Sequence, residues 1–129
     1  MSKKRSGKSQ KSQWEELFAA QIKERGLPAP VRQYPFAKSI SRLYRADFAF
    51  LDEMLIIEIN GGLFNFGRHA RGAGVENDLE RCALAAALGW KIMGFSPRQV
   101  KSGWGIEMTA VALGLREMDR SLANARRYR

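Results

Sequence analysis

The chain has 129 residues, 45% of them apolar, and a net charge of +9, which suits one folded domain. Its apolar stretches, Met54 to Ile57 among them, fall far short of the about 18 residues of a membrane span, and no apolar segment follows the basic start as a secretory signal requires. One cysteine, Cys82, and one histidine, His69, exclude an internal disulfide and a multi-cysteine zinc site, so a reducing cytoplasm is the expected compartment.

The charge is unevenly placed. Residues 1–12 carry +5 and residues 116–129 carry +3, which leaves +1 for everything between. Basic ends of this kind attract polyanions without reading their sequence. Residues 1–12 are rich in Lys, Ser, Gly and Gln and are expected to be a disordered basic tail. A domain over 13–115 and a basic extension over 116–129 complete the expected organisation.

Taken in order, Ser12 is placed to cap a first helix, with Glu15 three residues on as a capping box. Trp14, Leu17, Phe18 and Ile22 follow at helical spacing, and Gly26, Pro28 and Pro30 end the run. Val31 to Phe36 reads as a strand weakened by Pro35. Tyr44 to Phe50 and Leu55 to Asn60 read as two further strands. A glycine-rich loop over 61–74 precedes a helix from Val75 to Leu88, which Gly89 closes. Trp90 to Phe95 is a fourth strand. Ser96 and Pro97 open a short helical turn, and Ser102 is placed to cap a last helix from about Trp104 to Leu113. The expected class is α/β.

The second and third strands carry the chemistry. If their turn centres on Asp52 and Glu53, paired residue numbers sum to 105. Asp47 then stands opposite Glu58 and Arg45 opposite Asn60. Opposed like charges destabilise a sheet, so a proton or a cation is expected between the two carboxylates. Mg²⁺ suits them, because it takes oxygen ligands and is often held by one or two carboxylates with phosphate and water. There it can activate a water and neutralise phosphate charge. The plainer alternative makes both acids solvated surface residues.

Asp47, then Glu58-Ile59-Asn60 and Gly61-Gly62, resemble the PD-(D/E)XK nuclease superfamily. More narrowly, the chain resembles small phage and prophage endonuclease-like proteins. The further stretches are Gly26 to Pro30, Arg45 to Phe50, Gly67 to Gly72 and Leu88 to Trp90. The resemblance covers about residues 14 to 104. It implies a single-domain restriction-endonuclease-like αβββαβ core followed by a C-terminal helix. It also implies a DNA endonuclease acting on phosphodiester bonds with Mg²⁺ or Mn²⁺, on DNA that is structured or branched. Asp47 matches the motif aspartate, Glu58 the second acid, and the Ile59 carbonyl the backbone metal ligand. Asn60 stands where the superfamily usually has lysine. Asn60 carries no charge and cannot act as a base at neutral pH, but it can orient a water or contact the scissile phosphate. The alternative is a non-catalytic nucleic-acid-binding protein with a degenerate nuclease fold. The compartment implied is a bacterial or phage-infected cytoplasm.

Arg45, Arg68, His69 and Arg71 are the candidate DNA contacts. The last three lie in the glycine-rich loop at the entry to a helix, where phosphate is favoured. Glu15 is a further candidate metal ligand, since it flanks the apolar stripe of the first helix while Glu16 points away. Asp78 and Arg81, three apart on one helix, are expected to pair with each other. A homodimer stays open as an assembly, because one chain this small covers little DNA.

Overall fold

The structure is a computed structural model and describes residues 6–59 and 73–125. It is mixed α/β, with a four-stranded sheet and five helices among the described residues. The order is α1 (Ser6–Arg25), β1 (Val31–Tyr34), a 3-10 turn (Lys38–Ile40), β2 (Ala46–Phe50), β3 (Leu55–Ile59), α2 (Ala73–Ala87), β4 (Lys91–Phe95), α3 (Pro97–Lys101), α4 (Trp104–Ala112) and α5 (Arg120–Ala123). The chain divides into two compact units, one made of 1–29 with 95–129 and the other of 30–94.

The second unit holds the sheet, in spatial order β1-β2-β3-β4. β1 pairs antiparallel with β2, and β2 antiparallel with β3. The β2–β3 partners are Phe48 with Ile57, Ala49 with Ile56 and Phe50 with Leu55, so the expected sum of 105 holds at each. Lys91 at the start of β4 donates its N–H to the Met54 carbonyl just before β3, at 2.9 Å. The two strands therefore begin at the same end and run parallel, with α2 as the crossover between them. Every residue of β2 and β3 is buried, as in strands covered on both faces. Phe36, Ala37, Ala46, Ala49, Ile56, Ala85 and Trp90 form one apolar cluster of this unit. β1 ends at Tyr34 because Pro35 follows and has no N–H to give a ladder.

The first unit is built on α1. Phe18 and Ile22 are buried at a spacing of four, with Leu27 just past the helix end. Gly26 has φ +75, and the Leu27 N–H returns to the Ile22 carbonyl at 3.0 Å, the hydrogen bond of a Schellman stop. Phe95 lies between Phe18, at 5.9 Å between ring centroids, and Trp104, at 6.1 Å edge-on. Val100, Ile106, Ala110, Leu113 and Leu122 are also buried.

Two sequence readings are corrected, and one element is added. The first helix starts at Ser6, so residues 6–12 are helical and Ser12 is not its cap. Lys and Gln are good helix formers, and Lys11 pairs with Glu15 one turn on at 2.8 Å, which replaces the expected capping box. The cap of α4 is Gly103, with φ +86, while Ser102 Oγ accepts the Trp104 N–H at 3.1 Å. Within the C-terminal extension, α5 forms where Asp119 caps it by accepting the Leu122 N–H at 2.7 Å. No helix among the described residues is long and apolar enough to cross a membrane.

Candidate active site

The site is assembled on the β2–β3 hairpin. Continuing the observed register by one step sets Asp47 opposite Glu58, on one face of the sheet. Asp47 is 5% exposed and Glu58 2%. The alternative of two solvated surface acids is thereby excluded. Ionised groups buried to this degree need partners.

Asp47 is held from both neighbouring strands. Its Oδ2 accepts the backbone N–H of Ile59 on β3 at 2.7 Å, and its Oδ1 accepts Nε2 of Gln33 on β1 at 3.4 Å. Glu58 meets α2. Its Oε1 forms an ion pair with the Arg81 guanidinium. Glu58 thus meets a cation supplied by a side chain. Arg81 is turned to Glu58 instead of forming the expected partnership with Asp78. The reason is helical geometry: Arg81 lies four residues before buried Ala85 and so shares the face that packs on the sheet.

Arg81 also lies over the Tyr44 ring, at 5.8 Å, and Arg42 lies over the same ring at 5.0 Å. Arg42 makes two bonds to Glu80, at 3.0 and 3.2 Å, and the Tyr44 hydroxyl donates to Glu80 at 3.1 Å. These contacts hold the Glu80 carboxyl below its usual value, Arg42 contributing most. Burial, then the bond to Glu80, pushes the Tyr44 hydroxyl up. Tyr44 stacks on Phe36 at 6.2 Å, which anchors the cluster to the apolar interior.

The remaining candidates fall into three groups. Arg45 is exposed and donates to the Gln33 carbonyl at 3.4 Å, which keeps it beside the Asp47 strand. Glu15 belongs to the other unit, where Lys11 pairs with it. Its side chain is 12% exposed while Glu16 is exposed, as the helical phase predicts. Asn60, Arg68, His69 and Arg71 lie outside the described residues. Cys82 is half-buried, and burial raises its thiol pKa, in keeping with a packing role.

A divalent cation suits the donors of this hairpin. Both acids offer hard oxygen ligands from rigid strands. The Arg81 guanidinium lies against one of these two buried carboxylates, Glu58. No cluster of three or more His, Cys, Asp or Glu side chains able to hold a metal occurs among the described residues. Sequence reasoning missed Gln33 and the Glu58 contact of Arg81. The signal for Arg81 was its spacing from Ala85; nothing local marks Gln33.

No family model matches the chain, and neither does any curated protein or solved structure.

Proposed function

We propose that the chain is a metal-dependent DNA endonuclease of the PD-(D/E)XK type, with a restriction-endonuclease-like αβββαβ core. The observation that carries this reading is the buried, register-matched pair Asp47 and Glu58 with a guanidinium beside it. The order of helix, three strands, helix and strand supports it. Asp47, Glu58 and the Ile59 carbonyl would hold Mg²⁺ or Mn²⁺. Bound there, the ion supplies an acidified water and charge neutralisation at a phosphate. Arg81 returns the positive charge that Asn60 lacks relative to the usual lysine. Arg45, Arg68, His69 and Arg71 contact the DNA strand, and Asn60 orients a water or a phosphate oxygen.

The second reading is a nucleic-acid-binding protein without catalysis. One observation favours it: Arg81 already lies against Glu58, so an internal cation stands where a metal would bind. The test incubates plasmid, linear duplex and four-way junction with Mg²⁺, Mn²⁺ or EDTA. The parent chain is compared with Arg81→Ala and Arg81→Lys. Metal-dependent cutting by the parent, lost in Arg81→Ala and partly kept in Arg81→Lys, supports the nuclease. A parent that binds DNA and cuts none of the substrates with either metal establishes the second reading.

A further inference from the structure

Gln33 has an irregular backbone within the strand it belongs to. The β1–β2 partners run Val31 with Ala49, Arg32 with Phe48, then Tyr34 with Ala46. The same register on both sides sets Gln33 opposite Asp47, but its backbone is not that of a regular strand. Gln33 instead has φ +51, in the left-handed region that non-glycine residues seldom occupy. A backbone outlier of this kind persists only where its surroundings hold it, and such outliers gather at functional sites. Here both ends of Gln33 are engaged. Its carbonyl accepts from Arg45 at 3.4 Å, and its side-chain amide donates to Asp47 Oδ1 at 3.4 Å.

We propose that Gln33 is a positioning residue that sets the orientation of the Asp47 carboxylate. The inference rests on the nuclease reading for its purpose, because an oriented Asp47 is what a metal at this hairpin needs. Asp47 sits on a strand with neighbours on both sides. The Ile59 N–H takes one oxygen from β3, and the Gln33 amide takes the other from β1. Two donors on two oxygens fix the plane of the carboxylate, and the twist at Gln33 is what accompanies the second donor. Partners of this sort orient metal ligands from behind.

The test uses the full chain with Gln33→Gly and Asp47→Ala. Glycine tolerates φ +51, so Gln33→Gly removes the amide and the strain together. Its melting temperature is expected at or above that of the parent. Its Mn²⁺ affinity by calorimetry and its cleavage rate are expected to fall roughly ten- to a hundred-fold. Parental affinity and rate in Gln33→Gly overturn the proposal, as does a loss that merely follows a lower melting temperature. A second readout needs neither metal nor DNA. The Gln33 side-chain amide, assigned by its disappearance in Gln33→Gly, is followed in nitrogen–proton correlation spectra. A shift of that resonance in Asp47→Ala supports the contact, and an unmoved resonance overturns it. A parent that neither binds Mn²⁺ nor cuts DNA defeats the nuclease reading, while the amide resonance still decides whether Gln33 orients Asp47.

Discussion

Arg81 on α2 forms an ion pair with Glu58 on β3, and the Glu58 side chain is only 3% exposed. Removing one partner of such a pair leaves the other charge in a medium that solvates it poorly. Glu58→Ala is expected to cost about 3 kcal/mol of stability. The double variant Glu58→Ala/Arg81→Met is expected to be less damaged than the sum of its single variants. Urea unfolding of the four proteins measures the coupling, and additive losses would contradict the pair.

Catalysis is expected to need both acids. Asp47→Ala and Glu58→Ala should each bring Mg²⁺-dependent cleavage down to the EDTA background. DNA binding should be largely unchanged, because the binding cations lie elsewhere. Gel-shift and cleavage assays on one labelled substrate separate the two effects. A single variant that cuts at the parental rate removes that residue from the chemistry.

Two glycines offer a matched pair of stability tests. Gly26 and Gly89 both end helices at positive φ, +75 and +95. A Cβ at Gly26 meets nothing within 4 Å, whereas one at Gly89 lies 3.3 Å from Cε of Met54. Gly26→Ala should therefore cost only the left-handed backbone penalty, about 1 kcal/mol. Gly89→Ala should cost that and whatever Met54 requires to move. Equal losses in thermal or urea unfolding would show that Met54 yields freely.

Acid should weaken the first unit through Glu107. Arg25 bonds to it at 2.9 and 3.1 Å and Arg116 at 2.8 Å. The bond to Arg25 is the main cause holding this carboxyl below its ordinary value, and Arg116 adds to it. A carboxyl lowered on folding contributes stability that is complete above its unfolded value and is lost as pH falls through the folded one. Melting temperature is expected to drop with acid below the usual glutamate range. Glu107→Gln should flatten that drop. An identical pH profile in the variant would remove Glu107 from the acid response.

Much of this protein is legible in local pattern. The turn centred on Asp52 and Glu53 determined the hairpin register, because a hairpin pairs its strands outward from its turn. That register alone set Asp47 opposite Glu58. Gly26 and Gly89 marked helix ends because few other residues adopt the required φ. The start of α1 was misread, since a Lys- and Gln-rich run is compatible with either coil or helix and no residue of strong preference decides between them. Tertiary structure decided the partners of the acids. Arg81 reaches Glu58 only because α2 packs its Ala85 face on the sheet, whereas sequence spacing pointed to Asp78. Gln33 reaches Asp47 from a strand that no hairpin of local sequence ties to it, through a backbone turn that side-chain patterning does not encode. Short-range periodicity records which face a residue occupies, whereas the partner of a buried charge depends on which distant element covers that face.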